Sequence, residues 1–295
     1  MTEHISVLQK EVIDLLEIKE NGVYVDCTLG AGGHSLKILE KLKKGKLYCF
    51  DIDPLSIQNF KDRVGDDDRL TLINDNFSNL KNYVVERVDG IIFDLGWSSD
   101  QLETLPGLSH KRSKDLLDMR FDQTLGVTAG DLLNALGKKE LKKLFEDYAD
   151  IRGHKLNKLT NEIVSQRKIK LFKTVKDLRE VVSSHFPASE YSNLVSRVFQ
   201  ALRIAVNQEL SILKKTLPDS FPILKVGGVL LIITFHSGEE VIVDDFIKSN
   251  LAAGKCEPIT DSSFGLFIRP SVNEIKNNLR ARSAKLFGVK KIQND

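Results

Sequence analysis

A glycine-rich turn and an acidic residue about twenty positions later are the residues most able to do chemistry in this chain. The stretch Asp26–Ser35 follows an apolar run, Val23–Val25, and a second apolar run, Leu47–Phe50, leads directly into Asp51. Glycines let the backbone approach a ligand where a Cβ atom would clash. A carboxylate at a strand tip can accept hydrogen bonds from both hydroxyls of a ribose. The order of strand, glycine turn, helix, strand and acid is how a Rossmann-like unit holds an adenosine-bearing cofactor.

The spacing of the glycines favours one cofactor class over another. Ser35 stands where the dinucleotide fingerprint G-x-G-x-x-G has its third glycine. A pyrophosphate needs that tight helix N-terminus, whereas S-adenosylmethionine carries no phosphate. We therefore expect S-adenosylmethionine, with an NAD-dependent oxidoreductase and an ordinary β–α turn as the weaker alternatives. Asp53 competes with Asp51 for the ribose, but Asp51 directly ends the strand and Asp53 with Pro54 opens the next helix.

A second chemical group, Asp94–Trp97, ends the fourth predicted strand, where an open α/β sheet presents its ligands. The amine of cytosine or adenine is a poor nucleophile because its lone pair is delocalised into the ring. Asp94 could accept a hydrogen bond from that amine while Trp97 stacks on the base, an interaction worth about 1–3 kcal/mol. The alternative is that Asp94 only binds the cofactor and Trp97 is a core residue.

Three further side chains have two interpretations each. Phe77 follows the third strand, where an aromatic ring can flank an adenine, although a core position fits its spacing equally well. His34 and His236 have no partner at the spacing of a metal site or a catalytic triad, which favours structural roles. We expect no metal, since the sequence contains no paired cysteines and no H-E-x-x-H motif.

The elements that position these residues follow the βαβ rhythm of a parallel sheet. Apolar strands are predicted at Val23–Thr28, Leu47–Asp51, Leu70–Ile73 and Gly90–Leu95, after an amphipathic helix near Leu8–Leu16. The rhythm stops near Thr104, helical spacing replaces it, and a buried strand returns only at Gly228–Thr234. The fold class is therefore α/β, a Rossmann-like core interrupted by a mostly helical insertion. We predict a core of residues 1–103 and 198–295 and an insertion of residues 104–197.

Composition describes an ordinary globular protein of 295 residues, 41% hydrophobic and 28% charged. The three cysteines form no C-x-x-C pair, and two lie in predicted strands, which favours reduced core thiols. No signal peptide or apolar run of membrane-spanning length is present, so the expected compartment is the cytoplasm. The net charge is only +2, so a polyanionic partner must bind local patches. Lysine-rich residues 138–170 and the basic stretch of residues 269–291 are the candidates for a phosphate track.

Several motifs in order along the chain carry a family resemblance. The chain resembles the bacterial 16S ribosomal RNA cytosine-N4 methyltransferases, which methylate a cytidine in the decoding centre of the small subunit. The matching segments, in addition to the glycine turn, are His4–Leu8, Asp51–Pro54, Asp94–Leu102, Leu117–Arg120, Phe199–Asn207, Phe235–Ser237 and Arg280–Leu286.

The resemblance implies an S-adenosylmethionine-dependent transferase whose inserted domain recognises the substrate. Its partner would be 16S ribosomal RNA, within an assembled or assembling small subunit, and a membrane is not expected. The oligomeric state stays open, with a homodimer among the alternatives. Carried over by motif, the cofactor contacts are Gly32, Gly33, His34, Asp51, Phe77, Asp94 and Gln101.

The chain departs from the family pattern in segments away from the cofactor motifs. The changed segments are Pro106–His110, Tyr148–Arg152, Asn193–Ser196 and Gly238–Val241, together with Trp97 in place of a small aliphatic residue. These departures motivate an alternative function, in which the protein binds the cofactor and the assembling subunit but is catalytically silent.

Overall fold

The structure, a computed structural model, describes residues 6–96, 104–260 and 265–294. It forms two compact units, one of Met1–Ser98 with Leu210–Asp295 and the other of Ser99–Glu209. Among the helices of the described ranges, none is both long and apolar enough to cross a membrane.

The first unit is built around one mixed sheet with helices in its connections. Its strands are β1 (Val23–Asp26), β2 (Lys46–Phe50), β3 (Leu70–Ile73), β4 (Val88–Asp94), β5 (Leu224–Thr234), β6 (Cys256–Pro258), β7 (Phe267–Ile268) and β8 (Lys285–Lys291). Its helices are α1 (Gln9–Leu15), α2 (Gly33–Lys41), α3 (Pro54–Val64), α4 (Leu80–Tyr83), α10 (Glu209–Ser220, whose first residue falls in the second unit), α11 (Ser237–Ala252) and α12 (Val272–Asn277), with 3₁₀ turns at Phe77–Asn79 and Leu279–Ser283.

The strand order is β3-β2-β1-β4-β5-β8-β6, with β7 also paired to β8. Strands β1 to β5 are parallel, whereas β8 runs antiparallel to β5, β6 and β7. The order 3-2-1-4-5 is that of a doubly wound sheet, whose ligands bind at the carboxyl ends of the strands. The predicted Rossmann-like core is therefore confirmed, and it brings the ends of β1, β2, β3 and β4 to one edge.

Both faces of this sheet are covered by apolar side chains. Along β4, Ile91 and Phe93 lie in one buried cluster and Ile92 lies in the other. Strand β5 alternates in the same way, with Ile232 on the first face and Ile233 on the second. A strand buried on both faces reads as a continuous apolar run, which explains why these strands were visible in the sequence. All three cysteines are buried free thiols, as the sequence predicts.

Strand β8 was not predicted, and it changes the interpretation of the basic stretch at residues 269–291. Lys291 lies in β8 and is fully buried, with its Nζ donating to the carbonyl oxygens of Phe221 and Pro222 at 3.2 and 3.4 Å. Lys285 in the same strand pairs with Glu240. Lys285 and Lys291 are thus used in contacts within the first unit, and a buried ammonium cannot contact a phosphate track.

The second unit is helical in its described part. It contains α5 (Ala129–Ala135), α6 (Lys138–Ala149), α7 (Gly153–Ile169), α8 (Val175–His185) and α9 (Ala188–Asn207). Thr128 and Thr174 begin α5 and α8 as N-caps, each in a capping box with an aspartate three residues later. Leu141 and Phe145 of α6 are completely buried, as are Leu159 and Ile163 of α7.

The units differ in their limits from the division predicted from the sequence. Residue 198, where the core was predicted to resume, lies inside α9, which continues to Asn207. The helix ends at Gln208, a non-glycine residue in the left-handed conformation (φ 52°). The apolar spacing from residue 199 to residue 213 passes through this break without a visible change, because both helices continue the same periodicity.

Candidate active site

Two glycines at the junction of the turn and α2 have no room for a Cβ atom. Gly30 and Gly32 adopt positive φ angles of 51° and 75°. A Cβ atom on Gly32 would lie 2.1 Å from the ring of Phe60, and one on Gly33 would lie 1.9 Å from Ser6 Oγ. Gly32 is the N-cap of α2 and has no side chain to cap the helix. The first N–H groups of α2 are therefore left for another acceptor.

The buried carboxylate of Asp26 accepts hydrogen bonds from both sides of this turn. Asp26, at the end of β1, accepts hydrogen bonds from Thr28 N at 3.1 Å and from Ser35 Oγ at 2.6 Å. Burial raises the pKa of Asp26, and the hydrogen bond from Ser35 opposes that shift. Ser35 therefore has a structural use at the position where a dinucleotide fingerprint has glycine.

Asp51 lies directly after β2 and faces the glycine turn. Its Oδ2 accepts from Gly30 N at 2.7 Å and its Oδ1 from Asp53 N at 2.9 Å. Burial raises the pKa of Asp51 to about 6, and the two backbone N–H groups oppose the shift only in part. Each carboxylate oxygen retains a further lone pair, so Asp51 can still accept hydrogen bonds from a ligand.

Asp53 is engaged in capping rather than in facing the turn. Its Oδ1 accepts from Leu55 N at 2.9 Å as the N-cap of α3, and its Oδ2 lies 3.4 Å from Ser56 Oγ. This arrangement favours Asp51 over Asp53 as the residue that would hold a ribose.

The end of β3 contributes one residue that the sequence analysis missed. Asn74 Nδ2 donates to the carbonyl oxygens of Asp51 and Ile52 at 2.9 and 3.1 Å, so it fixes the backbone that carries the Asp51 carboxylate. The signal that could have found Asn74 is its place directly after β3. Phe77, three residues later, is half-buried and packs edge-to-face on Phe93 at 5.5 Å, so one part of its ring belongs to the core.

His34 and Asp94 meet at the carboxyl ends of β1 and β4. His34 Nε2 lies 3.5 Å from Asp94 Oδ2, and the backbone N of Asp94 donates to Thr28 Oγ1 at 2.6 Å. Within the described part of the chain, both ring nitrogens of His34 and the buried Oδ1 of Asp94 lack a hydrogen-bond partner. Buried polar atoms are nearly always satisfied, so these three atoms indicate a polar ligand at this edge.

The histidine after β5 has a different environment. Glu239, in the first turn of α11, accepts from the backbone N of Phe235 at 2.7 Å and of His236 at 3.3 Å. His236 Nε2 lies 3.1 Å from Glu239 Oε1. These contacts belong to the start of a helix, and within the described residues the buried Nε2 of His236 forms no hydrogen bond.

The structure thus brings most of the predicted site residues to one edge of the first unit. Gly32, Gly33 and His34 lie in the turn after β1, while Asp51, Phe77 and Asp94 follow or end β2, β3 and β4. Trp97 and Gln101, the other two predicted site residues, lie outside the described residues.

These features fit S-adenosylmethionine. The start of α2 offers backbone N–H groups, Asp51 offers a carboxylate for ribose hydroxyls, and His34 with Asp94 offers polar atoms that lack partners among the described residues. The residues that would hold the cofactor are therefore those of the turn together with Asp51 and Asp94.

Comparison with known protein sequences shows the family to which the chain belongs. The sequence profile of the MraW methylase family matches residues 1–292. The ribosomal RNA small subunit methyltransferase H of Cytophaga hutchinsonii is 40% identical over 294 residues, which cover 96% of this chain and 97% of that protein. The protein of the same name from Christiangramia forsetii is 38% identical, covering 99% of each chain. A solved methyltransferase from Streptococcus mutans, in complex with SAH, is 16% identical with a TM-score of 0.44, covering 98% of this chain and 99% of that one. The chain belongs to the MraW methylase family and is an S-adenosylmethionine-dependent methyltransferase.

Proposed function

We propose that this protein transfers a methyl group from S-adenosylmethionine to the N4 amine of a cytidine in the decoding region of 16S ribosomal RNA. The names of its relatives support ribosomal RNA of the small subunit as the substrate. The cytosine amine as the acceptor rests on the chemistry of Asp94 and on the family resemblance of the Asp94–Leu102 motif.

One observation carries the proposal: a buried carboxylate oxygen, Asp94 Oδ1, has no partner among the described residues. It lies at the end of β4, and the other oxygen of the same carboxylate is 3.5 Å from His34. An acceptor at this position can bind an N–H of an exocyclic amine, because an amine has a proton to donate while its nitrogen is attacked. A target with only acceptor atoms would leave Asp94 unsatisfied.

The reaction needs alignment more than proton chemistry. The bound cofactor supplies an electrophilic methyl group on a sulfonium. A hydrogen bond from the amine to Asp94 favours the pyramidal geometry in which the nitrogen lone pair is available. As the N–C bond forms and the C–S bond breaks, one amine proton is lost to solvent. Holding the amine in line with the methyl group supplies most of the rate, since positioning alone can contribute about 7–11 kcal/mol.

The target base must leave its stack to reach a site at the edge of a sheet. We propose that Trp97 stacks on the extruded base and that Gln101 contacts the cofactor. The helical insertion between the halves of the core would recognise the surrounding RNA, and the substrate would be the assembled or assembling subunit in the cytoplasm.

The test is methyl incorporation from labelled S-adenosylmethionine into small ribosomal subunits that lack the modification, followed by nucleoside analysis. We expect N4-methylcytidine from the wild type. At saturating cofactor, Asp94→Ala should lower the turnover rate at least about a hundredfold, the scale of a positioned polar group in a transition state. Asp66→Asn removes a carboxylate charge at an exposed site and is the matched control.

Cofactor affinity, measured beside turnover, distinguishes a failure to bind the cofactor from a failure to transfer the methyl group. An Asp94→Ala protein that binds S-adenosylhomocysteine and turns over at the wild-type rate would refute the amine contact. Wild-type protein that binds both the cofactor and the subunit but incorporates no methyl group would identify the catalytically silent assembly factor instead. Methylation of a base other than cytosine would refute the proposed acceptor.

A further inference from the structure

Two segments of the second unit, residues 111–117 and 166–180, lie side by side and are here called the lysine ribbon. Leu116 and Thr174 form an antiparallel bridge. Leu117 N donates to the carbonyl oxygen of Lys173 at 2.9 Å, and Lys176 N donates to that of Ser113 at 3.0 Å. Backbone pairing therefore brings together two stretches that are about sixty residues apart in the sequence.

The lysine ribbon carries a large net positive charge. It contains nine basic and three acidic side chains, a net charge of +6, whereas the whole chain has a net charge of +2. A local surplus of this kind attracts a polyanion although the protein as a whole is nearly neutral.

Five of the nine basic side chains have polar partners of their own. Arg167 donates to the carbonyl oxygens of Leu133 and Leu136 at the end of α5, and Arg179 donates to Tyr191 Oη at 2.8 Å. The other three pair with the acids of the ribbon: Arg112 with Asp115, Lys170 with Asp177 and Lys176 with Glu180. Every acidic side chain of the ribbon is thus already neutralised.

Four lysines are left over. Lys111, Lys114, Lys168 and Lys173 are exposed, and within the described ranges their ammonium groups form no hydrogen bond or ion pair. The neighbouring His110 is half-buried, and burial lowers its pKa. The positive charges of Arg179 and Lys111 lower that pKa further. An unpaired ammonium in water binds a phosphate at little desolvation cost and releases a condensed counterion.

Exposed aliphatic side chains alternate with basic residues along the two segments of the ribbon. Ile169 is 82% exposed, Leu116 61% and Leu171 51%. Exposed aliphatic groups beside unpaired cations match the mixed surface of folded RNA, in which sugars and unstacked bases lie between phosphates. A partner protein would instead need acidic groups opposite four lysines.

The other basic segments fit less well. Helix α6 carries four lysines but also three acids, so it is nearly balanced. The stretch of residues 269–291 has the same net charge of +6, but Lys291 in it is buried, and Lys285 and Lys290 pair with Glu240 and Glu17. The lysine ribbon differs in that its four remaining lysines are all exposed.

We propose that the lysine ribbon binds the phosphate backbone of ribosomal RNA outside the target nucleotide, with Lys111, Lys114, Lys168 and Lys173 as the phosphate ligands. The inference rests on the proposed function for the identity of the RNA. Phosphate contacts carry no base identity, so the ribbon sets where the enzyme lies on the subunit rather than which base is methylated.

The test measures binding to small ribosomal subunits that lack the modification across a series of salt concentrations. The variants are Lys168→Ala with Lys173→Ala and, separately, Lys111→Ala with Lys114→Ala. The matched control is Lys139→Ala with Lys143→Ala, which removes the same charge from exposed positions of α6. Far-UV circular dichroism and thermal unfolding check that the helical second unit, which carries all of these substitutions, is folded in each variant.

Each lost phosphate contact should reduce the slope of log K against log salt by about 0.7 to 0.9. Each ribbon double variant should therefore bind about ten- to fiftyfold more weakly at 0.1 M salt with a slope shallower by about 1.5. The control should keep the wild-type slope. Equal slopes in the ribbon variants and the wild type would overturn the proposal.

Protein-free 16S RNA distinguishes the class of partner. A ribbon effect on this RNA supports the proposal, whereas an effect seen only on whole subunits would assign the ribbon to a ribosomal protein and overturn it. If the slopes change as expected but no N4-methylcytidine forms, the ribbon stands as an RNA-binding surface and the proposed reaction fails.

Discussion

Cofactor binding should weaken below pH 6, because Asp51 must be ionised to accept hydrogen bonds from a ribose. The carboxyl group lies between Gly30 N and Asp53 N, and burial raises its pKa from 3.8 to about 6. Protonation converts an acceptor oxygen into a donor that faces two N–H groups and the ligand hydroxyls. The protonated form should therefore bind the cofactor poorly.

The magnitude follows from the pKa of Asp51. With a value of about 6, roughly one carboxyl group in eleven is ionised at pH 5, against nearly all at pH 8. If only the ionised form binds, affinity falls about tenfold over this range, which corresponds to about 1.4 kcal/mol. The raised pKa of Asp51 affects folding in the opposite direction: rising pH strengthens cofactor binding but lowers the stability of the folded state. A carboxyl group whose pKa is raised by burial opposes folding as pH rises from 3.8 through 6, by up to about 3 kcal/mol. Acidification relieves that cost, so Asp51 does not itself unfold the protein at pH 5.

The assay is calorimetric titration with S-adenosylhomocysteine between pH 5 and pH 8, with thermal unfolding recorded at each pH. Histidines change charge in the same pH range, so the series is repeated in a His34→Gln background. Asp51→Asn should bind weakly and without the pH dependence. Asp53→Asn is the matched control, because asparagine is also a good N-cap. It should keep the dependence with a midpoint at lower pH, since the charge of Asp53 helps to raise the pKa of Asp51.

Two results would refute this reasoning. A flat affinity from pH 5 to pH 8 in a folded wild-type protein would mean that Asp51 does not contact the cofactor in its ionised form. Loss of the pH dependence in Asp53→Asn but not in Asp51→Asn would transfer the ribose contact to Asp53.

Two further substitutions test the packing around the site and the sheet. Gly32→Ala should lower cofactor affinity more than tenfold, because the added Cβ would meet the ring of Phe60. It should also lower the free energy of unfolding by more than about 1–2 kcal/mol, which is the cost of a residue other than glycine in the left-handed backbone conformation. Gly65→Ala, with φ 77° and open space around it, should show that backbone cost alone. Equal losses in thermal and cofactor-binding assays of the two variants would exclude the clash. Lys291→Ala should lower the free energy of unfolding by about 2–4 kcal/mol in chemical denaturation, because it deletes a buried four-carbon stem, and Lys291→Met should recover most of it. Neither substitution should change the salt dependence of RNA binding. A changed slope of log K against log salt would show that β8 does contribute phosphate contacts.

The parallel half of the sheet could be predicted from the sequence because its central strands are buried on both faces. Strands β1 and β4 and the second half of β5 are buried along most of their length, and each predicted strand overlaps the observed one closely. In an open α/β sheet the ligand site lies at the carboxyl ends of the strands. The glycine turn, Asp51 and Asp94 could therefore be selected as candidates from their positions at strand ends and from their chemistry.

The antiparallel strands and the supporting contacts could not be predicted in this way. Strand β8 carries Lys285, Lys290 and Lys291, and its charge resembled a solvated surface, although one of these lysines is completely buried. Asn74 acts through two backbone carbonyl groups and belongs to no motif. The free charge of the lysine ribbon depends on which of its lysines form ion pairs with acidic side chains. Ion pairs depend on which residues are close in space, and the sequence alone does not show this.

The order of the strands also bears on how the chain is made. Strand β4, which carries Asp94, pairs with β5, and about 130 residues separate the end of β4 from the start of β5. At a synthesis rate of roughly 5–20 residues per second, β4 has an unpaired edge for roughly 6 to 26 s on the ribosome. An exposed apolar strand edge invites pairing with other chains. The nascent protein is therefore most exposed to aggregation during this interval, and slowing translation within residues 104–223 should increase its dependence on chaperones.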